Sequence, residues 1–201
     1  MSYAIIGFGA VGQALARAFA RKDIEVAVAS RRPPEALAPQ ARAIGPTIVP
    51  KSLQDALKAD IVILAVPFWE HREVAKAIAS WQGKIVIDAT NAFGVPLEEL
   101  DGLPSSTVTS KALPGARLVK AFNHLPAAVW AADPNVKGGR RVVFLSSDDE
   151  SATASVAALA EQLGFAPVGL GKLAEGGALV QARGRIWAPL IFQDFVKFES
   201  K

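Results

Sequence analysis

The sequence predicts an α/β fold: a doubly wound, mostly parallel sheet covered by helices, with a short helical extension at the carboxyl end. Two observations carry this. Short apolar runs alternate with amphipathic stretches almost from end to end of the 201 residues. Hydrophobic residues make up 51% of the chain against 20% charged, enough to cover both faces of a buried sheet.

Tyr3–Ile6 is an uninterrupted apolar run, a strand buried on both faces. Ala10 to Arg21 then places Val11, Leu15, Ala18 and Phe19 on one helical face. Glu25–Ala29 reads as the second strand. Prolines at 33, 34, 39, 46 and 50 argue against a helix in the following stretch, and Thr47–Val49 is a weak third strand. Ser52 with Asp55 starts a short helix through Lys58. Ile61–Val66 and Lys84–Asp88 are interior strands. The helix joining them has Val74, Ala77, Ile78 and Trp81 on its apolar face and is ended by Gly83. Asn91–Ser106 is rich in turns, and a short helix precedes Pro114-Gly115. Arg117–Phe122 and Arg141–Ser146 are the sixth and seventh strands. Ser147-Asp148-Asp149-Glu150 caps a helix running to Leu163, which Gly164 closes before a last strand, Phe165–Val168. From Leu173 the pattern is helical, interrupted at Gly184 and Pro189. The expected division is a sheet domain over residues 1–170 and a helical tail over 171–201, packed on that domain or on a second subunit.

The absence of cysteine removes disulfides, thiolate metal sites and a thiol nucleophile. His71 and His124, the two histidines, do not have metal-ligand spacing, so no metal is expected. The net charge of +3 comes without any Lys/Arg run longer than two, which gives no nucleic-acid footprint. The longest apolar run, Ile61–Trp69, has nine residues, under half of the roughly 20 that a membrane helix needs. The amino terminus lacks a basic region ahead of its apolar stretch, and glycines break that stretch, so it does not read as a signal peptide. A cytoplasmic protein without nucleic-acid or membrane partners is expected.

Gly7-Phe8-Gly9-Ala10-Val11-Gly12 is a G-x-G-x-x-G run. It directly follows a buried strand and opens an amphipathic helix inside a βαβ unit, the context in which this string marks a dinucleotide site of the Rossmann type. Gly7 permits the tight turn, Gly9 lets backbone approach a diphosphate, and Gly12 lets helix and strand pack closely. The amides around Ala10 and Val11 then face the anion at the helix amino terminus. After the second strand, an NAD site carries an acid for the ribose 2′-hydroxyl. This chain has Ser30-Arg31-Arg32 instead, with no acid between Glu25 and Glu35. A hydroxyl and two guanidinium groups suit a 2′-phosphate, so the expected cofactor is NADP(H).

Ligands in such sheets sit outside the carboxyl ends of the strands. The turns Ala65-Val66-Pro67-Phe68-Trp69, Asp88-Ala89-Thr90-Asn91 and Asn123-His124-Leu125-Pro126 should therefore frame the nicotinamide. Ala65, Val66, Pro67 and Asn123 are assigned to the cofactor, and Trp69, His124, Leu125 and Pro126 to a small-molecule acceptor. His124 could donate a proton, hydrogen-bond a substrate or simply orient its loop. Phe68 and Trp69 are a ring platform or core. His71 is expected on the surface, and Asp88 is expected to hold the turn that follows it rather than act as a base. No catalytic acid or base is assigned.

With these segments in view, the chain resembles the deazaflavin-dependent NADP oxidoreductases and the related cytosolic domain of the STEAP ferric reductases. The likeness rests on Gly7–Gly12, Ser30-Arg31-Arg32, Val66-Pro67-Phe68-Trp69-Glu70-His71, Lys120-Ala121-Phe122-Asn123, the Ser147–Glu150 cap and Ala188-Pro189-Leu190-Ile191. It implies hydride transfer between NADP(H) and a planar co-substrate, a deazaflavin or a flavin, between stacked rings. It also implies carboxyl-terminal helices that complete the pocket and a homodimer. Two alternatives stand beside it: an imine reductase of the pyrroline-carboxylate type, and a non-catalytic NADPH-binding sensor or partner module.

Overall fold

The computed structural model describes residues 1–136 and 138–187. Its main sheet is built from β1 (Tyr3–Ile6), β2 (Val26–Ala29), β3 (Ile48–Pro50), β4 (Ile61–Leu64), β5 (Ile85–Asp88) and β6 (Arg117–Lys120). A small hairpin of β7 (Asn135–Val136) and β8 (Gly139–Arg140) stands apart, and β9 (Val142–Ser147) and β10 (Ala166–Gly169) complete the sheet. The strand order is β10-β9-β6-β5-β4-β1-β2-β3. Every pair from β3 to β6 is parallel, β9 runs antiparallel to β6 with Val119 opposite Ser147, and β10 is parallel to β9. The mostly parallel, doubly wound sheet expected from the alternation of segments is the one found.

Alternation along each strand divides the core in two. Ile5, Val28, Ile63 and Ile87 face Leu15 and Phe19 of α1 (Ala10–Arg21). Ala4, Ile6, Val62 and Val86 face the other way, toward Trp81 and Leu113. β1 lies between β2 and β4, with Ala4 opposite Ala27 on one side and Val62 on the other. Chain order therefore reverses at β1, which leaves a crevice at its carboxyl end.

Several elements depart from the sequence reading. A helix, α2 (Pro34–Ile44), forms where the prolines argued against one. Pro34 sits in its first turn, where no amide donor is required, and Pro39 and the Glu35 carbonyl four residues earlier are both on the exposed side. Leu37 and Ala41 anchor its inner face. The next helix, α3 (Leu53–Ala56), is capped by the Ser52 hydroxyl accepting from the Asp55 amide. The helix expected before Gly83 is reduced to a 3-10 turn, Phe68–Glu70, and one short helix, α4 (His71–Ala75). α5 (Ser105–Ala112) precedes β6, and α6 (Ala127–Ala131) was not anticipated. β6 ends at Lys120 rather than Phe122, because Phe122 takes a left-handed backbone with φ of 57°.

α7 (Glu150–Gln162) is capped by Asp149, whose side chain accepts from the Ala152 amide. The segment from Leu173 folds back on the sheet as a π-helical turn, Leu173–Gly177, followed by α8 (Ala178–Val180). The interruption expected at Pro189 and the Ala188–Ile191 likeness lie outside the described residues. No helix among the described residues is long and apolar enough to cross a membrane.

Candidate functional site

At the carboxyl end of β1 the backbone turns sharply through Gly7, whose φ of 102° suits glycine. A Cβ there would lie 2.3 Å from the Ala65 carbonyl oxygen, so the loop after β1 presses directly on the end of β4. A Cβ at Gly12 would lie 1.9 Å from the Gly7 carbonyl oxygen, so α1 packs on the loop at a distance only glycine allows. Gly9 differs: nothing stands within 4 Å of its missing Cβ. It is the amino-terminal cap of α1, no side chain caps that helix, and Ala10, Val11 and Gly12 form the first turn. Two of the three glycines serve the fold, and the third leaves open space in front of uncapped amides.

That space belongs to a cleft of about 340 Å³. Gly7, Phe8 and Gly9 border its floor, Ser30, Arg31 and Arg32 form one wall, and Ala65, Val66 and Pro67 form the other. The Ser30 hydroxyl accepts from the Arg32 amide at 3.0 Å, which fixes the turn after β2. The Arg32 guanidinium donates to Gln40 Oε1 on α2 at 3.2 Å, and Arg31 meets Glu70 at 3.0 Å across the cleft. Of the segments taken from the sequence as the cofactor site, the glycine loop, Ser30–Arg32 and Ala65–Pro67 come together here, while Asn123 does not line this cleft. Leu53, Val74 and Glu70 also line the cleft and were not anticipated. Glu70 could have been suspected from its place in the turn after β4; Leu53 and Val74 give no local signal.

The turns after β5 and β6 form a second, more enclosed constellation. Asn123, 4% exposed, donates from Nδ2 to Asn91 Oδ1 and to the Val180 carbonyl, at 3.1 and 2.7 Å. Asn91 returns a bond to the Asn123 carbonyl at 2.7 Å, and its Oδ1 accepts from the Ala182 amide. The Trp187 indole also donates to the Asn123 carbonyl. Asn91 and Asn123 therefore tie the carboxyl-terminal segment to the turns that follow β5 and β6, while Asn123 Oδ1 stays buried without a partner.

Beneath them, Lys120 and Asp88 form a fully buried ion pair at 3.1 Å. Asp88 holds its turn as expected, accepting from the Thr90 amide and hydroxyl. Lys120 also donates to the Thr90 carbonyl at 2.5 Å. Burial pulls the Lys120 ammonium below the ordinary amine range, against the opposing attraction of Asp88.

The residues assigned to the acceptor do not gather at the cleft. Trp69 is 62% exposed on the 3-10 turn, while Phe68 is core. Pro126 is exposed and Leu125 is buried. His124 is 1% exposed, with its ring edge-on to Trp130 at 5.1 Å and tilted against Phe144 at 4.9 Å. Burial lowers its imidazole to about 4, with the Val142 backbone hydrogen bond pulling the other way, so it is neutral at neutral pH. Facing the apolar layer, it is a packed ring rather than a group beside the cleft. His71 corrects the expectation of a surface residue. Its ring is fully buried against Phe68, and Nδ1 donates to the Phe68 carbonyl, because the 3-10 turn folds the chain back over it. Burial lowers its imidazole as well.

The chain is similar in sequence and fold to known proteins. Residues 2–92 match the family described as NADP oxidoreductase, coenzyme F420-dependent. A hypothetical protein from Sinorhizobium meliloti is 42% identical in sequence, with a TM-score of 0.91 and 96% of each chain covered. A putative F420-dependent NADP-reductase from Arthrobacter is 27% identical, with a TM-score of 0.72 and 86% of each chain covered. The rat metalloreductase STEAP3 is 29% identical over 173 residues, which are 85% of this chain and 34% of the rat protein. The chain spans roughly a quarter to a third of the length of the curated relatives it matches.

Proposed function

We propose that this chain, whose residues 2–92 match the coenzyme F420-dependent NADP oxidoreductase family, passes hydride between NADP(H) and a planar acceptor, a deazaflavin or a flavin. The observation that carries the reading is the cleft, where open space before uncapped α1 amides meets a Ser30-Arg31-Arg32 wall. The first-turn amides suit a diphosphate, since they are unpaired by side chains and lie at the positive end of the helix dipole. Ser30, Arg31 and Arg32 would hold the 2′-phosphate by charge-assisted hydrogen bonds. Ala65, Val66 and Pro67 would give the cofactor an apolar wall that excludes water. The buried acceptor Asn123 Oδ1 is suited to receive a bond from a carboxamide.

Bound NADPH supplies the hydride from its reduced nicotinamide. The chain's own contribution is orientation and exclusion of water. No side chain is needed to move a proton when hydride passes between rings, in keeping with a buried, neutral His124. Trp69, outside the cleft lining but exposed on the 3-10 turn between Pro67 and Glu70, which do line it, would offer a flat face for the acceptor.

The test mixes the protein with NADPH and an oxidised deazaflavin or flavin and follows the loss of NADPH absorbance. Turnover with either ring is expected. Silence with both rings, with NADPH still bound, would leave the non-catalytic module, and turnover of a cyclic imine instead would select the imine reductase reading. Replacing Arg31 and Arg32 by alanine should weaken NADPH by at least about tenfold, each charged hydrogen bond being worth about 1.5–3 kcal/mol. NADH should be little affected.

A further inference from the structure

One acidic side chain lines the cleft among the described residues: Glu70. It sits in the turn after β4, and its carboxylate lies 3.0 Å from the Arg31 guanidinium, which reaches over from the turn after β2. The bridge joins the two walls across the opening above Gly7 and Gly9. The partners are unlike. Glu70 is largely enclosed, at 17% side-chain exposure, whereas Arg31 is 86% exposed and held by this one contact. Arg32, by contrast, is tied to Gln40 on its own wall.

We propose that Glu70 is an internal competitor for Arg31, latching the cleft in the free protein and yielding the guanidinium when a nucleotide bearing a 2′-phosphate enters. The idea rests on the NADP(H) reading above. The charges decide its sign. A phosphate monoester carries nearly two negative charges at neutral pH, and a carboxylate already beside the guanidinium repels it. An exposed ion pair holds a flexible arginine only weakly, so the order Glu70 imposes on Arg31 is a smaller effect than the repulsion. Glu70 therefore sets the threshold at which a 2′-phosphate is accepted, and it is a specificity-determining residue. A nucleotide without that phosphate offers Arg31 nothing in exchange for Glu70.

Calorimetric titration with adenosine 2′,5′-diphosphate and adenosine 5′-diphosphate tests this without turnover. Glu70→Gln keeps the size of the side chain and removes its charge. It should tighten the 2′,5′-diphosphate about fivefold, the size of an exposed ion pair of about 1 kcal/mol. The 5′-diphosphate should move less than about twofold. In an Arg31→Ala background the same change should have almost no effect, and Glu70→Asp should restore wild-type affinity. Weaker binding of the 2′,5′-diphosphate by Glu70→Gln would make Glu70 a positioning residue and overturn the latch. Equal tightening of both nucleotides, or tightening that persists without Arg31, would overturn it too. A wild type that prefers the 2′-phosphate but ignores Glu70→Gln removes the latch alone. A wild type with no such preference removes the NADP(H) reading as well.

Discussion

The two ends of the strand-edge crevice are built on opposite principles. Beside β1 and β2, polar capacity is left open: uncapped α1 amides, a Gly9 with empty space around it, and guanidinium groups held by single contacts. Beside β5 and β6, polar groups are spent largely on one another, with Asn123 Oδ1 left over. Asp88, Lys120 and Thr90 close a buried network, Asn91 and Asn123 clasp the carboxyl-terminal segment, and His124 is embedded among aromatic rings. Open polar groups wait for a ligand, whereas satisfied ones hold a shape. Substitutions in the first region should therefore act on binding, and those in the second on stability.

The largest break in that contrast would come at Lys120. Lys120→Met strands the Asp88 carboxylate in the core and should cost about 3–5 kcal/mol. That corresponds to a fall in melting temperature on the order of 10 °C for a chain of this size. Adding Asp88→Asn should recover much of the loss, and a double mutant no more stable than the single one would deny the pair its structural role.

His124 comes next. Its folded value of about 4 lies below the ordinary 6.5, so the folded state holds fewer protons than the unfolded chain between those values. Stability is complete above 6.5 and falls as the pH drops through that window, by up to about 3 kcal/mol. His71, lowered by the same cause, adds to the slope. Urea unfolding across this range should show the decline, and His124→Gln should flatten it by one proton's worth. An unchanged slope would place His124 in water.

The two glycines sharpen the comparison within one loop. Gly12→Ala drives a Cβ into the Gly7 carbonyl and should cost about 1–3 kcal/mol of stability, as overpacking does. Gly9→Ala meets nothing in the protein and should leave thermal unfolding in place while weakening NADPH about tenfold, or about 1.4 kcal/mol. If Gly9→Ala leaves NADPH affinity untouched, the diphosphate does not approach that loop.

The amino-terminal region was legible because its signals are local. A buried run, three spaced glycines and a Ser-Arg-Arg turn lie within 32 residues, and each acts through backbone geometry or charge at its own position. α2 was missed because tertiary packing of Leu37 and Ala41 outweighs proline signals when those prolines fall in the first turn and on the exposed face. His71 was misplaced because its burial depends on a 3-10 turn folding over it, and nothing in its neighbouring residues encodes that.

By itself the sequence determined the alternating layers, the glycine loop after β1 and the Ser30–Arg32 and Ala65–Pro67 turns that line its cleft, but not the strand order or the lining by Leu53, Val74 and Glu70. The layers, loop and turns follow from periodicity and turn chemistry, which act over a few residues. Only the tertiary structure decided that Glu70 reaches Arg31, that Lys120 meets Asp88 and that Asn123 holds Val180. Those partners are 39, 32 and 57 residues apart in the chain. Contacts at such separations arise from the order in which strands assemble and not from any local preference.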